Sequence, residues 1–205
     1  MLCNYSIMAL CILLFLPGVA NSWPIPDTGQ TKCYNNTEEI PCPAPGEAFY
    51  GQDGHYTINT PRYVKVDSSG NDLPDSASSW YATRDDLTGI VWEMKTTDGT
   101  KSNKNYICRW DSPNQCQNPG SKPRFLQLMT IVDFSGISPS LNGCFFPNTQ
   151  AGVYHASDII NIGEDWPKPV YAINFSDGSI SIVSSSFDTY IRNIISFQRP
   201  LALSM

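Results

Sequence analysis

The sequence contains few charged side chains and no cluster of Lys and Arg. Charged residues make up 16% of the 205 positions, and 19 acidic against 13 basic residues give a formal charge of −6. Because affinity for phosphates depends on basic charge, this balance argues against nucleic-acid binding. The low charge and the 12% of aromatic residues argue against a disordered chain. The length suits one domain of ordinary size.

Long hydrophobic runs are also lacking, apart from one at residues 7–16 that is too short for a comfortable transmembrane span. The first 22 residues contain no Asp, Glu, Lys or Arg. Ala20 and Ser22 fit the −3 and −1 positions of a signal-peptidase site. We therefore predict that residues 1–22 are a signal peptide, that no membrane span remains after cleavage, and that the protein is periplasmic, surface-bound or secreted. An uncleaved membrane anchor is the alternative.

Metal-binding and catalytic motifs are missing as well. No C-x-x-C pair occurs, and the two histidines, His55 and His155, have no ligand-like spacing to the cysteines. Neither histidine has a catalytic partner that the sequence identifies, and the glycines show no phosphate-binding spacing. We therefore expect no metal, no cofactor and no enzymatic activity.

Signal removal would leave an odd number of cysteines in an oxidising compartment. These five are Cys33, Cys42, Cys108, Cys116 and Cys144. The spacings permit two short disulfides, Cys33–Cys42 and Cys108–Cys116. Cys144 is then free, although it also competes for Cys108 or Cys116.

Short β-like runs separated by turns follow a lead-in rich in proline and glycine. We assign residues 23–54 to this disulfide-pinned lead-in, 55–199 to the domain and 200–205 to a tail. The predicted strands are RYVKV (62–66), GIVWEMK (89–95), YICRW (106–110), PVYAINF (169–175), SISIVSSS (179–186) and YIRNIISF (190–197). Asp177-Gly178 predicts a hairpin between the fourth and fifth, and FLQLMTIVDF (125–134) has helical spacing. The pattern predicts an α+β fold: an antiparallel β-sheet with long loops and one or two short helices.

Four motifs stand in an order that is typical of one family. They are LTGIVWEMKTTDG (87–99), FLQLMTIVDFSGISPS with FFPNT (125–149), YAINFSDGSISI (171–182) and YIRNIIS (190–196). Together with the lead-in they resemble the Lcl C-terminal domain family, named for a collagen-like bacterial adhesin. The resemblance implies a C-type-lectin-like fold and an exported bacterial binding module that recognises a glycan or a surface protein. It also implies homo-oligomers, because family members trimerise, and the founding adhesin's domain is associated with sulfated glycans.

The chain departs from the family pattern in several places. The W-R-L-P-T stretch before the helix is replaced by residues 121–124, the segment between Trp110 and Pro123 is shortened, and Asn193 stands where a cysteine is expected. We therefore interpret the chain as a divergent, shortened member. The alternative is a periplasmic or envelope structural protein that has lost the ligand site.

Ligand contacts are expected at exposed aromatic rings and at basic side chains beside polar loops. Trp166 and Lys168 lie in the proline-stiffened turn EDWPKP, and Arg109 contributes to a local basic patch. His155 follows Tyr154 where the family has an aromatic block. The alternatives are that Trp166 folds back onto the sheet and that His155 is a packing residue. The net charge of −6 makes a polyanionic ligand less favourable.

Overall fold

The computed structural model describes residues 24–111, 122–135, 139–161 and 167–197. The predicted signal peptide, the predicted tail, Cys116 and Trp166 lie outside the described residues. Within these ranges the chain is mostly β-structure with one short α-helix. The coarse prediction of a sheet protein with long loops and little helix is therefore confirmed. The strands are β1 (Cys33–Tyr34), β2 (Glu39–Ile40), β3 (Tyr63–Val66), β4 (Ala82–Asp85), β5 (Val91–Glu93), β6 (Ile107–Arg109), β7 (Val153–Ile159), β8 (Pro169–Asn174), β9 (Ser179–Ser184) and β10 (Asp188–Tyr190).

The largest sheet has five strands in the order β6-β10-β7-β8-β9. Neighbouring strands run antiparallel except β10 and β7, which pair in parallel. The predicted β8–β9 hairpin is confirmed. Its turn glycine, Gly178, has a φ of 78°, and a Cβ atom there would lie 2.5 Å from the ring of Phe134. Both the left-handed backbone and the close approach therefore require glycine.

A second sheet of three antiparallel strands, β3-β4-β5, is joined to the first by the end of the chain. The sequence predicted one strand over 190–197, but β10 ends at Tyr190. The chain then leaves the five-stranded sheet and runs along β5, where Asn193 O accepts from Glu93 N at 2.9 Å and Val91 O accepts from Ile195 N at 2.8 Å. This segment links the two sheets.

The helix α1 (Phe125–Met129) is shorter than the predicted stretch of 125–134. Asp158 of β7 accepts the hydrogen bond of the Phe125 backbone N–H, and the Gln127 side chain accepts from Arg124 N at 2.8 Å. These contacts supply partners for the first amides of the helix. The core beneath it combines α1 with both sheets. Its buried side chains are Ile90, Trp92, Leu128, Ile131, Val132, Leu141, Phe146, Tyr154, Ile173 and Phe175.

The lead-in contacts the body through backbone hydrogen bonds. Thr28 O accepts from Phe134 N at 2.8 Å, and Asn59 Nδ2 donates to Ile25 O at 3.0 Å. The predicted Cys33–Cys42 disulfide is confirmed and connects β1 to the segment after β2. Across the described ranges, none of the helices has the length and apolar character that crossing a bilayer requires.

Candidate functional site

The two basic residues predicted to bind ligand lie near one end of the five-stranded sheet. The Arg109 guanidinium pairs with Asp111 at 3.0 Å, and Lys168 Nζ donates to Asn161 Oδ1 at 2.7 Å. Ser185 connects their surroundings, because its N–H donates to Lys168 O and its carbonyl accepts from Asp111 N. Both cations are already engaged by protein groups. Trp166, the predicted aromatic contact, lies outside the described residues.

His155 is placed inside the sheet rather than on a surface. The residue is 2% exposed, and its Nδ1 contacts the Thr189 hydroxyl. Its Nε2 is buried and has no hydrogen-bond partner within the described part of the chain. Burial, and secondarily the charge of Lys122, lower its pKa to about 3. Three successive residues of β7, Tyr154, His155 and Ala156, are buried, so both faces of the strand are covered here and the ring lies in packed surroundings. The expectation that His155 contacts a ligand at the surface is corrected accordingly.

Among the described cysteines, Cys33, Cys42 and Cys108 are disulfide-bonded and Cys144 is free. Cys108 is buried in β6 and disulfide-bonded, while Cys116 lies outside the described residues, so the Cys108–Cys116 pairing stays a prediction. Cys144 is an exposed free cysteine. The free thiol expected at Cys144 is therefore present.

Three of the four sequence motifs meet in a buried network of charges at the junction of β5 with the last segment. Lys95 forms an ion pair with Glu93, and Asn193 Nδ2 donates to Glu93 Oε2 at 3.1 Å. Arg192 Nη1 donates to Glu93 O at 3.0 Å, and its Nη2 donates to the Thr149 hydroxyl. We call Glu93, Lys95, Arg192 and Asn193, together with Thr149, the charge network.

The charge network holds two cations against one carboxylate, and all three charged residues are buried. Arg192 is 1% exposed and stacks over the Phe146 ring with its guanidinium carbon 5.2 Å from the centroid. Desolvation lowers the pKa of Arg192 and of Lys95, and for Lys95 the neighbouring Glu93 opposes that shift. Such a group of charges is stable only while every partner is present. The motif residues therefore hold the fold together rather than present a surface.

A small cavity opens on the outer side of this network. It measures about 140 Å³, and we call it the aromatic pocket. Its lining residues are Trp80, Tyr81, Glu93, Met94, Thr96, Ser102, Asn193 and Ile195. Asn193 Oδ1 is buried and has no hydrogen-bond partner among the described residues. Because this oxygen is buried, the accessible polar groups of the pocket are those of its other polar lining residues.

The aromatic wall of the pocket is positioned by the three-stranded sheet. Trp80 Nε1 donates to Thr83 Oγ1 at 3.1 Å, and the Lys65 ammonium lies 4.1 Å from the indole centroid. Tyr81 N donates to Val66 O at 2.8 Å, while its side chain remains 45% exposed. The indole is thus held in place, and the phenol ring offers accessible apolar area beside it.

The rim opposite the aromatic wall is the loop of residues 96–104, which is held by hydrogen bonds between its own residues. Thr96 N donates to Ser102 O at 3.0 Å, and Lys104 N donates to Thr96 O at 2.9 Å. Asp98 accepts from the hydroxyls of Thr96 and Thr100, which lowers its pKa to about 2. This arrangement keeps the polar rim of the pocket ordered without a partner strand.

The pocket can bind, but its lining offers little for catalysis. Glu93 is held by Lys95 and Asn193, and both histidines lie elsewhere. An aromatic wall and a polar rim suit a small ligand with both C–H and O–H groups. Sequence reasoning did not identify Trp80 and Tyr81, although two adjacent aromatic residues in the polar stretch SSWYATRDD were a usable signal.

Comparison with known proteins returned no relative. No protein-family profile matches the chain, and neither curated proteins nor solved structures show a significant match. A proposal about the function of this protein therefore depends on the geometry of the site and on the sequence itself.

Proposed function

We propose that this protein is an exported, non-enzymatic recognition protein with a C-type-lectin-like fold, and that it binds one ring of a glycan in the aromatic pocket. The observation that carries the proposal is the combination in one cavity of an accessible aromatic ring, Tyr81, with the polar lining residues Thr96 and Ser102. Sugars present C–H groups on one face and hydroxyls at their edges. An aromatic ring contacts the former, and polar groups form hydrogen bonds with the latter.

The size of the pocket favours a fragment of a larger ligand. Sites for drug-sized molecules have volumes of roughly 300–1,000 Å³, whereas this cavity has about 140 Å³. One sugar ring at the end or the side of a longer glycan fits that description. The rest of the glycan would extend over the exposed surface near Tyr81.

The charge distribution favours a neutral glycan over a sulfated one. The chain carries a formal charge of −6, and the basic residues Arg109 and Lys168 are engaged by Asp111 and Asn161. The pocket itself contains a carboxylate, Glu93. No lysine or arginine lines the pocket, so a sulfate would find no cation there to contact directly, and the net negative charge of the chain disfavours it as well.

Export and adhesin-like recognition are supported by the sequence features and by one structural fact. The apolar run at residues 7–16 with its small-residue cleavage site is typical of a signal peptide. The Cys33–Cys42 disulfide is the kind of cross-link that persists in oxidising compartments. The resemblance to the Lcl C-terminal domain family supplies the expectation of glycan binding and of homo-oligomers.

A glycan array at two salt concentrations tests the proposal. Neutral and sulfated glycans would be presented to the full chain, to Tyr81→Ala and to Phe187→Ala. Phe187 is the matched control, because it is an aromatic residue with 62% exposure that does not line the pocket. We expect neutral glycans to bind with little salt dependence, Tyr81→Ala to weaken binding roughly tenfold, and Phe187→Ala to bind like the parent.

Two outcomes would contradict the pocket assignment. One is a folded chain that binds no glycan even at low salt. The other is binding that Phe187→Ala weakens as much as Tyr81→Ala does. If the chain binds only sulfated glycans, and if added salt weakens that binding strongly, the binding site would instead lie at the end of the sheet that carries Arg109 and Lys168.

One observation favours a second candidate, a structural protein of the cell envelope. The motif residues Glu93, Thr149 and Arg192 are all used inside the charge network, so they support the fold without requiring a ligand. An array without signal, from a chain whose cooperative unfolding shows that it is folded, would support this candidate.

A further inference from the structure

A histidine at the start of the domain lies beside the disulfide of the lead-in. Cys33 is buried in β1, Cys42 is exposed, and His55 ends the 3₁₀ helix Asp53–His55. The sulfurs of both cysteines and a ring nitrogen of His55 all lie within 4.8 Å of one another. Cys33 and Cys42 are 9 residues apart, which is longer than the spacing of a cysteine pair in ordinary zinc motifs, and His55 follows Cys42 by 13 residues. Only the folding of the lead-in brings them together.

The imidazole is oriented with one nitrogen toward the sulfurs. Nε2 lies 2.7 Å from Pro43 O, the shortest polar contact of the ring, and because of this contact we assign the N–H of the neutral ring to Nε2. Nδ1 then carries the lone pair and lies 3.6 Å from Cys33 Sγ, with Gln52 O at 3.3 Å. Metal-bound histidines commonly donate their second ring N–H to a backbone carbonyl, which fixes the tautomer and the ring direction.

The distances suit a tetrahedral ion of thiophilic character. Zn–S bonds of about 2.3 Å and Zn–N bonds of about 2.0 Å place neighbouring ligand atoms roughly 3.5–3.8 Å apart. The separation of 3.6 Å between Cys33 Sγ and His55 Nδ1 already lies in this range. The Tyr50 ring, whose centroid is 4.8 Å from that of His55, packs against the imidazole and limits its movement.

We propose that the reduced lead-in is a metal site, in which Cys33, Cys42 and His55 bind a thiophilic cation such as Zn²⁺. An external dithiol first reduces the disulfide: the S–S bond accepts two electrons and two protons, and the dithiol becomes a disulfide. The cation then displaces both thiol protons and forms two metal–sulfur bonds and one bond to Nδ1. Water completes the coordination on the exposed Cys42 side. Disulfide and metal are mutually exclusive, so the lead-in is cross-linked in either redox state.

Zinc titration of the reduced and the oxidised full chain tests this proposal. Competition with a chromophoric chelator under anaerobic conditions gives the affinity, and parallel Co²⁺ loading reports thiolate coordination through its charge-transfer absorption. We expect the reduced chain to bind Zn²⁺ at this site and the oxidised chain not to. His55→Asn, which leaves all cysteines in place, should weaken this binding at least about tenfold, and Cys33→Ser should abolish it.

Two variants separate this site from the other cysteines. Cys144→Ser and Cys108→Ser remove the exposed thiol and the buried half of the other disulfide, and both should retain the affinity of the parent. The proposal is overturned if the reduced chain binds no Zn²⁺, or if His55→Asn and Cys33→Ser bind as the parent does. A sulfur charge-transfer band in Co²⁺-loaded parent that persists in Cys33→Ser would likewise assign the metal to other cysteines.

Discussion

The body and the lead-in of this protein are stabilised in different ways. The body, with its two sheets and helix α1, has a continuous apolar core and a buried charge network. The lead-in, of which the structure describes residues 24–54, exposes most of its side chains. It is held by a disulfide and by side-chain hydrogen bonds to backbone amides, such as Asn35 Oδ1 accepting from Glu38 N at 2.8 Å. Burial therefore dominates in one region and local cross-links in the other, and substitutions should have correspondingly global or local effects.

The largest effect is expected from Glu93→Gln in the body. It would leave Lys95 and Arg192 as buried cations without a carboxylate, which typically costs about 3–5 kcal/mol. Urea unfolding at neutral pH measures this loss. Glu38→Gln makes the same chemical change at an exposed position of the lead-in and should leave the free energy of unfolding nearly unchanged. If both variants lowered the free energy of unfolding equally, the distinction between a body stabilised by burial and a lead-in stabilised by local cross-links would be contradicted.

Removal of the disulfide should have the next largest effect, confined to the lead-in. A closed loop of this length contributes about 2–3 kcal/mol through the entropy of the unfolded chain. In a Cys33→Ala, Cys42→Ala double variant we expect hydrogen exchange to accelerate in β1 and β2 while the amides of β8 keep their protection. Equal acceleration in β8 would show that the lead-in and the body unfold as one unit.

The body should also be sensitive to acid through His155. Its pKa is about 3 in the folded chain and near 6.5 when unfolded, so the unfolded state takes up a proton first as the pH falls. Stability is then complete above pH 6.5 and decreases below it, by up to about 1.4 kcal/mol per pH unit. Urea unfolding between pH 7.5 and 4.5 measures this slope, and His155→Gln should flatten it. If the stability of His155→Gln decreased with falling pH as steeply as that of the parent, another group would be responsible for the acid sensitivity.

The smallest effect is expected from an exposed ion pair of the body. Arg62 pairs with Asp86 at 2.5 Å, but its side chain is 77% exposed. Arg62→Gln should therefore lower the free energy of unfolding by less than about 1 kcal/mol, and added salt should reduce the difference further. Comparison with Glu93→Gln isolates the role of burial, since both variants remove one partner of an ion pair. A loss above 2 kcal/mol would contradict this view of the surface.

Much of the secondary structure could be predicted from local patterns, and the failures have identifiable causes. The β8–β9 hairpin was predicted because Asp177-Gly178 separates two alternating runs. Strand β4 (Ala82–Asp85) was missed because it is short and polar, and β7, the longest strand, was missed because its burial does not alternate. The last strand was predicted too long, because sequence does not show that the chain changes sheets after Tyr190.

The candidate site could be predicted only in part. The sequence pointed to the motif residues and to basic side chains, but Arg109 and Lys168 are engaged with neighbouring groups and His155 is buried. Tyr81 and Asn193 are 112 positions apart, and nothing in either local pattern indicates that they line one pocket. The same holds for His55 and the disulfide.

The sequence by itself determined the low charge, the predicted export signal, the hairpin turn and the cysteine pair that the structure joins. These features depend on residues close together along the chain, where turn chemistry, alternation and spacing act directly. Tertiary structure alone decided that Glu93, Thr149 and Arg192 form one network, that His155 is buried and that Cys33, Cys42 and His55 meet. The physical reason is that burial and long-range contacts depend on how separate segments pack, and a linear pattern does not encode which segments become neighbours.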